Sequence, residues 1–215
     1  RYCMVNDYEL VDFLDALASR NSTPSGGGAT AVVGSMAVSL GEMVANLTVG
    51  KACYADVQGR IATIVVRAEQ VRSRLIQLMD EDECALAPLL AAYALPHGTA
   101  SEADERTLRM EEALRGACGP PIGVIEAIHE ALSLFDELAC IGSRIALSDV
   151  GVAASFATAA LRGASLNVLV NTSMMADRTY AERLNARTRE LVSDGCERAE
   201  RIFRDVEGEM TCPRS

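Results

Sequence analysis

Lys51 is the only lysine in a chain whose other basic side chains are all arginine. A compact ammonium can be tuned to release a proton, which a guanidinium cannot. Charge stabilisation or proton donation is the chemistry Lys51 could do. It could equally be a solvated cation after Gly50, favoured by a helix C-terminus. Carboxylates offer the complementary half. Asp80, Glu81, Asp82 and Glu83 form an acidic run. On a helix Asp80 and Glu83 share a face, while Asp82 points elsewhere, near Met79 and Leu86. That marks Asp82 as the partly buried member, with a raised pKa fit for acid–base work. The bland alternative is a solvated acidic face. Asp149 follows Ser148 at an expected helix start, as a second candidate base or as a first-turn carboxylate that complements the helix dipole.

Binding groups come from two other stretches. Ser25-Gly26-Gly27-Gly28 precedes a helical pattern, where free N–H groups and the helix dipole can receive an anion. The stretch lacks the Lys-Ser/Thr ending of a nucleotide P-loop, and a tight interhelical turn is its alternative role. Asn167 and Asn171 lie four apart on one helix face in an apolar segment. Buried amides need partners, either neighbouring helices or the donor and acceptor edge of a ligand ring. His97 and His129 are far apart and match no metal-ligand spacing, so no metal is expected.

Only helices can be expected to position these groups. Helical spacing runs from Asp7 to Arg20, from Ala29 to Val49, and from Asp56 to Ala94 with Pro88 as a possible interruption. Ser101 to Ala117 follows, with Ser101 and Asp104 as a capping box. Pro120-Pro121 then precede a helix from Ile122 to Ile141. Ser148 to Leu161, Ser165 to Met175 and Asp177 to Val206 complete a helical bundle of about seven to eight helices. Helix 29–49 is apolar on most sides and should be central. Small residues recur four apart along it, as Ala31, Ser35, Ser39 and as Ala37, Gly41, Ala45.

The 215 residues suit a single domain spanning 1–215. Apolar content is 49%, aromatic content only 4%, and tryptophan is absent. Such a core must be aliphatic, which suits close-packed helices. A net charge of −10 with no basic face excludes a nucleic-acid backbone partner. Glu42 inside the apolar run argues against a membrane span. Seven widely spaced cysteines, with no C-x-x-C pair, fit reduced thiols and a cytoplasmic location.

Thr23-Pro24-Ser25-Gly26-Gly27-Gly28, an Ala/Gly-rich helix, then Met43-Val44, Leu47-Thr48 and Gly50-Lys51 together resemble the N-terminal signature of the formiminotransferase-cyclodeaminase family, in its cyclodeaminase portion. Ser25 is an insertion relative to that pattern. Leu78 to Asp82, Ala94-Leu95-Pro96, Ser148 to Ala154, Asn167-Val168, Asn171 and Asp177 extend the match, so that it covers roughly residues 9–207. His97 stands where the family has lysine. The resemblance implies an all-α folate enzyme, a formiminotetrahydrofolate cyclodeaminase that closes 5-formiminotetrahydrofolate to 5,10-methenyltetrahydrofolate with loss of ammonia. The alternative within the family is 5,10-methenyltetrahydrofolate cyclohydrolase. The alternative of another class is a non-catalytic helical folate-binding or interaction protein. On the resemblance Lys51, Asp82 and Asp149 would be catalytic, and Ser25, Gly26, Gly27, Gly28, Asn167 and Asn171 would bind substrate. It implies a reduced folate as substrate, no permanently bound cofactor and a homodimer or higher oligomer, with a separate formiminotransferase as possible partner.

Overall fold

The structure is a computed structural model that describes residues 9–211. Among these residues there are seven α-helices and no strand. They are α1 (Leu10–Ala18), α2 (Gly26–Asn46), α3 (Gln58–Tyr93), α4 (Ala100–Ala117), α5 (Gly119–Ile141), α6 (Leu147–Ser173) and α7 (Arg178–Thr211). Short 3-10 turns at Ala52–Val57 and Arg144–Ala146 join α2 to α3 and α5 to α6. The all-α class is as expected. The expected helix start at Asp7 lies outside the described residues, as do Cys3 and Cys212.

Helix α2 is central, as its composition requires, and packs against α3, α5 and α6. Ala37 and Ala45 are fully buried, and a Cβ at Gly41 would run into the Phe135 ring of α5. That line of small residues therefore sets how closely α5 approaches. The other line does not stay inside. Ala31 is buried, Ser35 is half-buried and Ser39 is exposed. A four-residue step overshoots the 3.6-residue turn, so this line rotates out of the core while the other rotates across its centre.

Two expected breaks do not occur. Pro88 lies inside α3 without ending it. The carbonyl it leaves unpaired belongs to exposed Cys84, where water can serve it. The helices expected at Ser148–Leu161 and Ser165–Met175 are one, α6, which runs through Gly163 and ends at Ser173. Gly163 sits where Thr30 of α2 presses closest, and a Cβ there would meet the Thr30 hydroxyl. Ser148 is therefore inside α6, whose N-cap is Ala146 with no side-chain cap.

Other boundaries shift for local reasons. The N-cap of α4 lies two residues earlier than expected, because Thr99 and Glu102, not Ser101 and Asp104, form the capping box. Thr99 Oγ1 accepts the Glu102 N–H, while the Glu102 carboxylate accepts the Thr99 N–H at 2.8 Å. Pro120 and Pro121 sit inside the first turn of α5, where a missing N–H costs nothing. Helix α1 buries Phe13, yet Leu10, Val11 and Leu14 remain exposed.

Helices α2 and Arg144–Ser173 are long and apolar enough to cross a membrane, but about half of each lies inside the bundle. Core packing against their neighbours accounts for much of their apolarity. Gly41→Val should destabilise the fold by about 1–3 kcal/mol through overpacking against Phe135. Urea unfolding of the variant beside the parent measures this directly.

Candidate functional site

The first turn of α2 is where sequence and structure differ most usefully. Gly26, Gly27 and Gly28 are not a loop before the helix but its opening residues, and Ser25 is the N-cap. Ser25 Oγ accepts the Gly27 N–H at 3.1 Å and donates to Asp82 Oδ2 of α3 at 2.7 Å. The Gly28 N–H also donates to the Asp82 carboxylate. The anion expected at this helix terminus is therefore supplied by the chain itself. A Cβ on Gly27 would overlap the Asp82 carboxylate, so the glycine is the condition for this approach.

Burial raises the Asp82 pKa above the usual carboxylate value, and the Ser25 and Gly28 hydrogen bonds hold part of that rise back. Asp82 is the half-buried acid the sequence singles out. Asp80, grouped by sequence with the solvated run, is in fact more buried, at 8% exposure. The two carboxylates point to different sides of α3, and both are shielded. Glu81 instead pairs with Arg74 at the surface.

Asp82 borders a tight recess lined by Gly27, Thr30, Pro120, Pro121 and Asn167, which has no room for a water molecule. The Asn167 amide oxygen faces Gly26. Thr30 and Pro120 carry no motif that sequence could flag, and only the packing of α2 against α5 and α6 brings them here. Asn171 is not part of the recess. Its amide donates to the carbonyls of Ala117 and Asn167, each at 3.0 Å, and so anchors the end of α4. A larger cavity of about 890 Å³ lies between α3 and α4 and shares Pro120 with the recess. Asp82 does not line it, and its Arg74 and Arg109 are already paired with Glu81, Glu105 and Glu112.

Lys51 lies at the opposite end of α2. The 21 residues of that helix separate the two ends by about 30 Å. Lys51 is not a solvated last-turn residue of α2, which ends at Asn46. Its Nζ donates to Ser143 Oγ at 3.1 Å, and Ser143 is only 1% exposed. Buried Thr48 fixes that serine by accepting its N–H at 2.8 Å while donating to the Val44 carbonyl. Gln58 clamps the turn through Gly50, Thr48 and Tyr54, with Gly50 at φ 72°. Among the described residues no carboxylate forms an ion pair with Lys51, whereas arginine and His129 supply all the observed pairs.

Asp149 sits in the first turn of α6, half-buried, at the Lys51 end. It is eighteen residues from Asn167 along the same helix, about 27 Å. One copy of the chain therefore gathers Ser25, Gly26, Gly27, Gly28, Asp82 and Asn167, but not Lys51 or Asp149. His97 is exposed in the turn between α3 and α4. His129 Nε2 bonds the Leu191 carbonyl at 2.8 Å, an ordinary α5–α7 tie.

A family model described as formiminotransferase-cyclodeaminase matches residues 9–190. The chain belongs to the formiminotransferase-cyclodeaminase family. It is 34% identical to a methenyltetrahydrofolate cyclohydrolase of Methylorubrum extorquens, covering 96% of this chain and 100% of that one. Identity to the formimidoyltransferase-cyclodeaminase of Rattus norvegicus is 29% over 94% of this chain, which spans 37% of the rat protein. The crystal structure of formiminotetrahydrofolate cyclodeaminase from Thermotoga maritima has the same fold, with a TM-score of 0.80 at 29% identity. That match covers 96% of this chain and 98% of that one. Membership in the formiminotransferase-cyclodeaminase family gives the Asp82 recess and the Lys51 corner a chemical context.

The hydrogen-bond pattern at Asp82 predicts how it titrates. Ser25→Ala removes a donor to the charged form, so the Asp82 pKa should rise further. Carboxyl carbon NMR titration reads the shift, and an unchanged or lower value would contradict the role given to Ser25. Because burial raises the folded-state pKa, the protonated acid is favoured in the native state. The stability tied to it is present at low pH and falls as pH rises from the ordinary carboxylate value through its own. Asp82→Asn should lack this fall, which melting curves of both proteins across that pH window will reveal.

Proposed function

We propose that this chain makes or breaks the one-carbon bridge between N5 and N10 of a reduced folate, with Asp82 as the group that moves the proton. In cyclodeamination N10 attacks the formimino carbon on N5 and forms a tetrahedral centre. N10 then loses a proton, the departing nitrogen gains one, and ammonia leaves 5,10-methenyltetrahydrofolate. One acid–base group within reach of both nitrogens can serve both transfers. The observation that carries the reading is the Asp82 seat. A carboxyl with a raised pKa is held in one orientation by Ser25 and Gly28 at the first turn of α2, bordered by Thr30 and Asn167. A carboxyl so placed can exchange protons closer to neutrality than a solvated one.

Asp82 suits the base's role better than Asp149, which sits in a helix first turn where a carboxylate complements the dipole. Asn167, beside Gly26, is assigned to orient the pterin through its amide. Lys51 is assigned to charge stabilisation or proton donation. The same reading includes no resident cofactor, a homodimer in the cytoplasm, and a separate formiminotransferase that supplies the formimino group.

A second reading, 5,10-methenyltetrahydrofolate cyclohydrolase, is favoured by one observation. The full-length relative with 34% identity carries that name, against 29% for the two cyclodeaminases compared. There water adds to the bridging carbon, the bond to N5 breaks and 10-formyltetrahydrofolate forms with release of a proton. The proton-transfer demand on Asp82 is the same.

Parallel absorbance assays of methenyltetrahydrofolate decide between the readings. Its appearance from 5-formiminotetrahydrofolate marks the deaminase, and accelerated loss of added methenyltetrahydrofolate marks the hydrolase. Absence of both, with tight binding of a reduced folate by calorimetry, would make the chain a folate-binding protein without chemistry. Asp82→Asn should lower turnover by about 10²-fold or more with helicity retained. Lys51→Arg should also be impaired, because it keeps the charge but cannot readily release a proton. Parent-like turnover in both variants would remove the assignment.

A further inference from the structure

We infer that the groove between α6 and α7 is a binding site for a small oxyanion, a carboxylate or a phosphate, held by Arg162, Arg189 and Thr188. The site lies apart from Asp82 and stands whether or not Asp82 moves a proton.

The groove has a volume of about 660 Å³, within the roughly 300–1,000 Å³ of small-molecule sites. Each wall supplies one guanidinium, Arg162 from α6 and Arg189 from α7. Among the described residues no carboxylate pairs with either. Elsewhere on α7, Arg187, Arg198, Arg201 and Arg204 are all paired. In a chain of net charge −10, two arginines that share a groove without a carboxylate break the pattern. The acids of the groove are engaged with other groups. Glu200 pairs with Arg204 at 2.8 Å, and Glu197 accepts the Ser193 hydroxyl at 3.2 Å.

Thr188 points to a ligand independently of the charges. It is only 3% exposed and lines the same groove. Its hydroxyl has no hydrogen-bond partner among the described residues. Thr158 and Ser165, also in the groove, both donate to carbonyls of their own helix. Buried hydroxyls are rarely left without a partner. Asn185 adds a further donor. Its Oδ1 accepts the Thr172 hydroxyl at 2.7 Å, which leaves its NH2 group for the groove.

These donors define what would bind. Guanidinium, hydroxyl and amide N–H groups all donate, so the ligand must bring acceptors. A guanidinium fork matches the paired oxygens of a carboxylate or phosphate. Two forks, one on each wall, suit a dianion. Leu169 and Val192 offer apolar surface to a short carbon chain. Gly163 and Asn167 face α2 on another side of α6. The roughly 10 Å thickness of that helix therefore separates this ligand from Asp82.

Calorimetry on the full chain tests the site, with inorganic phosphate and succinate as probes at constant ionic strength. At least one should bind the parent at a single site, and the tighter of the two identifies the group as phosphate or as a carboxylate pair. Arg162→Gln and Arg189→Gln should each weaken that binding by about tenfold or more. Both arginines are exposed, so these changes leave the core intact. Thr188→Val keeps the shape, removes the hydroxyl and should weaken binding by about threefold or more. Arg187→Gln removes a paired arginine from the same helix and should leave affinity unchanged.

A nitrogen-detected readout needs no affinity. The guanidinium Nε–H signals lost in Arg162→Gln and Arg189→Gln are the ones that should move when the probe is added to the parent. The inference is overturned if neither probe binds at millimolar concentration, or if both signals stay still. Parent-like affinity in the two arginine variants overturns it too, as does equal weakening by Arg187→Gln, because that is the result of general charge alone.

Discussion

One carboxylate against one helix terminus sets the terms for the rest of this structure. Asp82 comes from the middle of α3, yet its oxygens bond the N-cap serine and a first-turn N–H of α2. Two opposing effects meet there. Removing the group from water disfavours its charge, while the helix terminus and the hydroxyl favour it. Desolvation wins, because the shift is upward. The balance needs Gly27, since any side chain there would displace the carboxylate. It also needs α3 to continue unbroken past residue 82, which a helix of 36 residues provides even with Pro88 inside it.

The same helix explains the composition. Ala37, Gly41 and Ala45 let α5 approach, Gly34 receives Ile128 and Leu75, and Gly163 receives Thr30. Close backbones leave little space for rings, and Phe135 is the one aromatic among the largest fully buried side chains. A core of Ala, Val, Leu and Ile then gains its cohesion from the number of contacts rather than the size of each. The approach of α6 at Gly163 places Asn167 one turn further on, beside Gly26. Core packing and site geometry are thus a single constraint along α2.

Much of this was legible in the sequence, and the rest has physical reasons. Helical spacing, apolar α2 and half-buried Asp82 followed from the residues near each in the chain. The glycine segment was legible as a helix terminus that takes an anion, but not that the anion would be Asp82, 57 residues away. Long-range partners leave no local trace. For the same reason Ser143, which holds Lys51 from 92 residues away, carries no signal of its own. Ser165 misled as a helix start, because its hydroxyl serves the helix it sits in rather than opening a new one. Ser165 bonds back to the Arg162 carbonyl within the helix, and Gly163 is small because α2 is near. Asn171 matched a family motif yet serves as a strut to α4, since a buried amide is satisfied by any carbonyl in reach.

The choice of lysine at position 51 then has a physical content that ion pairing cannot supply. Arginine supplies nearly all the ion pairs of this protein, several of them two-pronged, as its planar fork allows. A position kept as lysine among so many arginines is one where that fork is not wanted. The corner around it is built for a single small donor. Thr48 holds the Ser143 backbone, Ser143 presents one hydroxyl, and the Gln58 clamp fixes the turn from which the side chain leaves. A hydroxyl positions an ammonium without neutralising it. The charge therefore remains available to an anion or a lone pair from outside, which a carboxylate partner would have quenched. The two ends of α2 thus differ in kind. One holds an acid whose ionisation burial disfavours, and the other holds an ammonium met, among the described residues, by a hydroxyl and no carboxylate.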